Sequence, residues 1–306
     1  MSQQLSTIFL YDITKIDCGL FDPATGISGQ SWIVDLAVSG VPDENGFIHD
    51  FSDLKKIVRK TLKSTVDHAL ILPILSKTVE YQDSPEGETW RLLSQESRNS
   101  QPLVWQYTCP KGGVFPIRAL YLDKESITHE ITKSLRHRLP SHIREMRVTL
   151  REEDLDPTEA YFRYTHGIPS HEGQCQQLFH GHKSRIEIYL NDKRRPDLEH
   201  FVASDILGHS VHITNSQQIV SDPIEAGVRP EPGESPVNIK YKSSCGTFSA
   251  QIPRHKVFAV EGETSIESIT RQIAIVLRTK LEPQSNLRVR CFEGIDKGAE
   301  YQVSVP

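Results

Sequence analysis

Residues 175–190 read Cys175-Gln176-Gln177-Leu178-Phe179-His180-Gly181-His182-Lys183-Ser184-Arg185-Ile186-Glu187-Ile188-Tyr189-Leu190. The run after His182 alternates apolar and polar residues as a half-buried strand does. Side chains on a strand repeat every two residues, so His180 and His182 project from one face. His166, just upstream, can complete a facial set of three imidazole nitrogens. Three imidazoles with no fourth protein ligand describe a catalytic zinc site with an open position. Cys175 adds a candidate acid or base beside it. The chain has 13 histidines, so a His-x-His can arise by chance, and the weight of the reading rests on these flanks.

The same stretch is echoed in the N-terminal half. Ser28-Gly29-Gln30-Ser31-Trp32-Ile33-Val34-Asp35-Leu36 matches His180 to Ile188 at an offset of 152 residues. Asp123-Lys124-Glu125-Ser126-Ile127-Thr128 matches the segment Thr264 to Thr270 with Glu125 set against Glu267, an offset of 142, and Arg147 to Glu152 matches Arg288 to Glu293 at 141. Three matches in one order, drifting by about ten residues, indicate a tandem duplication. The boundary falls between Glu153 and Pro157, giving units 1–153 and 154–306. A chain of 306 residues suits two such units.

Composition narrows the class. The net charge is −5 with no long basic run, which argues against a nucleic-acid partner. No stretch approaches the roughly 18 apolar residues of a membrane span, and the N-terminus lacks the basic start and apolar core of a signal peptide. Five dispersed cysteines, Cys18, Cys109, Cys175, Cys245 and Cys291, form no CxxC pair and read as free thiols in a reducing compartment. The expectation is a soluble cytoplasmic protein without membrane contact.

Each half reads as strands, a helix, more strands, a second helix and a final strand, an α+β class. After the strand Trp32 to Ser39, the turn Pro42 to Gly46 leads into Phe47-Ile48-His49, predicting a hairpin. Ser52 or Asp53 is expected to cap a helix carrying Leu54, Ile57, Val58 and Leu62. A second helix presents Ile127, Ile131, Leu135 and Leu139 and is expected to stop at Pro140. Its counterpart carries Ile266, Ile269, Ile273, Val276 and Leu277. Gln82 to Gln101 and Ser221 to Pro236 read as long loops. Phe201 to Val220 holds no amphipathic run, so the second half is expected to lack the first helix.

These residues resemble a known family. Asp50-Phe51-Ser52-Asp53-Leu54-Lys55-Lys56-Ile57-Val58 and Val66-Asp67-His68 look like the Asp-Phe-x-Asp-Leu-Lys-Lys helix and Leu-Asp-His signature of the 6-pyruvoyl-tetrahydropterin and 6-carboxytetrahydropterin synthases. The second half resembles the remaining signatures: Phe162 four residues before His166, Cys175 before His-Gly-His, and Glu293 followed by Ala299-Glu300-Tyr301. Glu267 and Glu293, 26 residues apart, are similar to the family's pterin-binding glutamates.

The departures divide the signatures between the halves. Ser28 and Gln30 replace the histidines, and Phe9 to Cys18 offers no first ligand, so the N-terminal half is expected to hold no zinc. The C-terminal half has no Asp-His after a helix; His209 and His212 lie in a different context. The resemblance implies that Asp67 and His68 of one unit meet Cys175 and the metal of another, within a chain or between chains. It implies a zinc ion on His166, His180 and His182, Cys175 as base, His68 with Asp67 as proton relay, and a pterin held by Glu293, with Glu267 beside it or Glu152 in its place. The implied substrate is 7,8-dihydroneopterin triphosphate. The implied product is a tetrahydropterin, of the 6-carboxy type that feeds 7-deazaguanine (queuosine) synthesis or of the pyruvoyl type; a non-catalytic pterin-binding homologue is the alternative. The cysteine sets the chain apart from family members that place a glutamate there and act as aldolases. The implied fold is the tunnelling fold, two tandem units each with a four-stranded antiparallel sheet and helices on one face. Such units join edge to edge into an oligomeric barrel, so a homo-oligomer is expected.

Overall fold

The computed structural model describes residues 5–95, 102–232, 235–282 and 284–303, and within them one topology appears twice. The first unit opens with two long antiparallel strands, β1 (Ser6–Asp22) and β2 (Gly26–Gly40). Helix α1 (Phe51–Lys63) follows, then β3 (Leu70–Pro73), β4 (Val79–Ser84), β5 (Gly87–Ser94), β6 (Leu103–Cys109) and β7 (Val114–Ile117). Helix α2 (Lys124–Arg136) and β8 (Ile143–Arg151) close the unit. The second unit runs through β9 (Tyr161–His166), β10 (His180–Leu190), the short β11 (Lys193–Arg194), α3 (Pro196–Phe201), β12 (Ser210–Asn215), β13 (Val237–Ser243) and β14 (Gly246–Ile252). It ends with β15 (Val257–Val260), α4 (Ile266–Arg278), β16 (Leu287–Phe292) and β17 (Gly298–Val303).

Two sheets carry the units, in the orders β7-β3-β1-β2-β8 and β15-β12-β9-β10-β16-β17, with β11 attached to β10. Four antiparallel strands per unit were expected. Instead β3 and β7, and likewise β12 and β15, extend each sheet by parallel pairing. A third, antiparallel sheet, β13-β14-β6-β5-β4, takes strands from both units, joined where β6 pairs with β14. It absorbs part of the predicted loop at residues 82–101: Trp90 and Leu92 are buried on its inner face, while exposed polar side chains on the outer face gave the segment its loop-like composition. Residues 96–101 of that loop lie outside the described set.

Three apolar cores follow from this layout. Ile16, Trp32, Val34 and Leu36 pack beneath α1 and α2, Ile186, Ile188 and Val289 pack beneath α4, and a third core draws Trp105 and Tyr107 from one unit and Phe179 and Phe248 from the other. The helices bury the faces their spacing predicts, with Leu54, Val58 and Leu62 on α1 and Ile127, Ile131 and Leu135 on α2. Their ends differ from the sequence expectation. Asp50 caps α1 by accepting the Asp53 amide, and α2 stops at Arg136, leaving Leu139 beyond it but packed on the core.

The hairpin expected at Phe47-Ile48-His49 does not form. Asp43 accepts the amides of Asn45 and Phe47 to make a turn, and the free edge of β2 is taken by β8. The first helix of the second unit is shortened rather than lost: α3 starts at Pro196, ahead of residues 201–220, and runs on through a π turn at Val202–Ile206. Glycines let the two units touch. A Cβ on Gly29 would lie 2.0 Å from the Tyr164 carbonyl, and one on Gly181 2.3 Å from the same oxygen. Backbone thus meets backbone where β2 crosses β9 and β10. Among the described residues no helix is long and apolar enough to cross a membrane.

Candidate active site

The register of β9 against β10 sets His166 opposite His180 and Tyr164 opposite His182. The three imidazoles are almost wholly buried, and one ring nitrogen from each lies within 4.8 Å of the others. Their outer nitrogens are held. His166 Nδ1 donates to the Thr264 carbonyl at 2.7 Å and His180 Nδ1 to the Gln177 carbonyl at 2.7 Å. That fixes the tautomer and turns both Nε2 lone pairs inward. His182 Nε2 faces His166 Nε2 at 3.1 Å, and His182 Nδ1 lies 3.1 Å from Asp17 Oδ1, off the ideal hydrogen-bond line.

Burial first, and then the neighbouring imidazoles, push His166 and His180 well below the ordinary histidine value. His166 and His180 are therefore neutral donors, and their rings crowd with that of His182 around one point. Ring nitrogens that converge in this way could hold a metal ion. An all-nitrogen donor set favours transition-metal ions over the oxygen-seeking divalent ions.

A second cluster abuts the first. Asp67 and His68 follow α1, and His68 adopts a left-handed backbone with φ of 62°. Its amide donates to the Asp17 carbonyl at 2.7 Å while Asp67 Oδ1 accepts the Asp17 amide at 3.1 Å, so the turn is clamped onto β1. These bonds hold a conformation that side-chain-bearing residues adopt rarely. The ring of His68 stacks on that of His180 with centroids 5.0 Å apart, places Nε2 3.5 Å from Cys175 Sγ and keeps Nδ1 3.0 Å from Asp67. Burial works against a charge on His68, but the Asp67 carboxylate and the Cys175 sulfur override it and raise the group to about 10. Cys175 sits in a 3-10 turn at Gly173–Gln176, pinned by Tyr241 donating to the Gln176 carbonyl and by Ser244 and the Cys245 amide donating to Gln176 Oε1. The sheet shared by the units thus positions the cysteine loop.

Both halves of the chain match one family model, that of 6-pyruvoyl tetrahydropterin synthase, over residues 17–157 and 157–304. The chain belongs to the 6-pyruvoyl tetrahydropterin synthase family. It carries the family's fold twice in tandem. No curated protein sequence matches it. Among solved structures, the 6-pyruvoyl tetrahydropterin synthase of Plasmodium falciparum is similar at 19% identity, covering 48% of this chain and 90% of its own, with a TM-score of 0.38. A variant of the Plasmodium vivax enzyme is similar at 22% identity over 48% of this chain and 91% of its own, with a TM-score of 0.39.

Within this tandem synthase-family chain the two copies align by strand register. Cys18 faces Gln30 and Leu20 faces Ser28, where Tyr164 faces His182 and His166 faces His180. Leu20, Ser28 and Gln30 thus occupy the places of the three ligands in the first unit. At the matching junction of the second unit His209 also has a left-handed backbone, with φ of 61°, but Gly208 precedes it and its side chain is exposed.

The glutamates differ in setting. Glu293 follows β16, and Lys297 of the same turn lies 2.7 Å from its carboxylate; burial opposes the charge on Lys297, while Glu293, Asp17 and Cys175 raise its pKa. Among the described residues the buried Tyr164 hydroxyl has no hydrogen-bond partner, and burial first, then Glu293, pushes its pKa up. Glu152 is exposed and paired with Lys183 at 2.5 Å, and Glu267 is exposed in the first turn of α4, bonded by Ser265. Asp17, Ser31, Thr264 and Lys297 have no signature in the sequence; the one available signal was the alignment of the repeats, which sets Asp17 against Arg163.

Proposed function

We propose that the chain is a zinc-dependent tetrahydropterin-forming lyase acting on 7,8-dihydroneopterin triphosphate, with His166, His180 and His182 holding the metal. The observation that carries this is the meeting of His68 from one unit with Cys175 from the other, 3.5 Å apart and stacked on His180. When bound, zinc would supply a Lewis acid for the vicinal side-chain hydroxyls and so acidify the adjacent C–H. Cys175 is the base: it takes the carbon-bound proton as thiolate, stabilised by the charge on His68. His68, already protonated, returns a proton, and Asp67 keeps its ring oriented and charged. Glu293 accepts two parallel hydrogen bonds from the 2-amino and N3–H groups of the pterin, a bidentate match that fixes the ring; Glu267 and Glu152 are the secondary candidates. Edge strands β8 and β17 leave room for association of chains, and we propose a homo-oligomer.

Within the family we favour the 6-carboxytetrahydropterin type, serving 7-deazaguanine (queuosine) synthesis. The two candidate products differ in carbon count. A carboxy product keeps one side-chain carbon and sheds the other two as a fragment, whereas a pyruvoyl product keeps all three. Incubation of the zinc-loaded protein with 7,8-dihydroneopterin triphosphate, with and without chelator, is expected to give metal-dependent triphosphate release, a new pterin and a two-carbon fragment. Retention of all three carbons would reassign the product. No triphosphate release, or a Cys175→Ala protein as fast as wild type, would overturn the catalytic reading.

A further inference from the structure

We infer that Asp17, on the first unit, is a positioning residue that orients His182 of the second unit for the metal. The inference rests on the metal-binding reading of the three histidines. His166 and His180 are each oriented by a backbone carbonyl of their own unit, Thr264 and Gln177. For His182 the group at Nδ1 is the Asp17 carboxylate, 3.1 Å away and contributed from across the unit boundary.

The setting is built around that carboxylate. Asp17 and Ser31 are 6% and 1% exposed, and Ser31 Oγ donates to Asp17 Oδ1 at 2.5 Å. Gly294 makes room: a Cβ there would lie 2.6 Å from Asp17 Oδ1 and 3.3 Å from His182 Nδ1. Burying a carboxylate is unfavourable unless it is paired. A carboxylate behind a ligating imidazole selects the tautomer with its lone pair on Nε2 and makes that nitrogen a stronger donor.

The duplicated fold supplies an independent comparison. Asp17 pairs in register with Ser31, and Arg163 with Lys183, so Arg163 and Lys183 stand in the second unit where Asp17 and Ser31 stand in the first. Asp17 and Ser31 reach toward a centre with three histidines. Arg163 and Lys183 reach toward its emptied counterpart, where Arg163 donates to the Gly29 carbonyl and Lys183 pairs with Glu152. The acid-and-hydroxyl pair is present where the ligands are kept, and two cations replace it where Leu20, Ser28 and Gln30 have taken their places. A carboxylate serving only to hold the strands together has no reason to follow the ligands in this way.

The test is zinc affinity, measured by chelator competition on the whole chain, with the visible spectrum of the Co2+-substituted protein as a second readout. Asp17→Asn keeps the shape and removes the charge. It is expected to bind zinc about 10- to 100-fold more weakly and to shift the Co2+ bands, while Arg163→Gln binds like wild type. An Asp17→Asn protein with wild-type melting temperature, zinc affinity and Co2+ spectrum overturns the inference. If Asp17→Asn does not fold, Ser31→Ala, which strips one hydrogen bond from the same carboxylate, is expected to weaken zinc and move the bands, and no change in either overturns the inference. Wild-type protein that binds no zinc would instead remove the metal reading on which both proposals stand.

Discussion

His68 is the residue whose surroundings say most about what it does. A histidine held charged up to about 10, stacked on a neutral one and touching a thiol, is arranged to keep a proton beside that sulfur. His68→Gln is expected to lower kcat by about 10²- to 10⁴-fold at saturating zinc while zinc content stays at the wild-type level. Steady-state kinetics together with metal analysis checks it, and a variant that loses zinc in proportion to activity would point to a structural role. The sequence placed His166, His180 and His182 together by their strand spacing, and Asp67 and His68 beside Cys175 by the family resemblance, and the structure groups them in the same way. Asp17 and Thr264 were not legible in it. One lies 165 residues from the histidine it touches and the other acts through a backbone carbonyl, so neither leaves a local pattern.

At the scale of elements, the strands and helices that bury a regular apolar face were readable, and those defined by competition for a partner were not. The spacing of Leu54, Val58 and Leu62 gave α1, but its cap was misplaced by two or three positions because Asp50, Ser52 and Asp53 can all serve. Asp50→Ala is expected to cost about 1 kcal/mol, seen as a lower thermal midpoint. Phe47-Ile48-His49 failed as a hairpin arm because β8, more than a hundred residues on, takes the edge of β2. Gly29 has no local signature either, yet it carries the contact between units. Gly29→Ala would drive a methyl against the Tyr164 carbonyl, and a loss of about 1–3 kcal/mol is expected in denaturant unfolding.

The whole molecule encloses several neutral imidazoles, and this fixes how it responds to acid. His212, wholly buried with Nδ1 bonded to Thr165 Oγ1, is lowered to about 3 by burial, and His166 and His180 are lowered as well. The unfolded chain takes up protons at an ordinary histidine value near 6.5 and the folded chain does not. The stability His212 contributes is therefore complete above about 6.5 and declines as the pH falls from there toward 3, and His166 and His180 act in the same direction. Thermal melts of the metal-free protein are expected to show a falling midpoint between pH 7 and pH 5, with a shallower fall in His212→Gln. An equal slope in both proteins would exclude His212 as a contributor. The two-unit plan was legible from the repeat offsets, whereas the sheet that combines both units was hidden, because β6 and β14 lie far apart in the chain and pair across the two copies.

That shared sheet also governs the order in which the protein can be completed during synthesis. Thr108 of β6 meets Ser249 of β14, so an open strand edge leaves the ribosome well before the segment that covers it has been translated. An uncovered edge is a template for unwanted pairing with other nascent chains. Slowing elongation between the two copies should therefore lower the soluble yield, and a chaperone that shields the first copy should restore it.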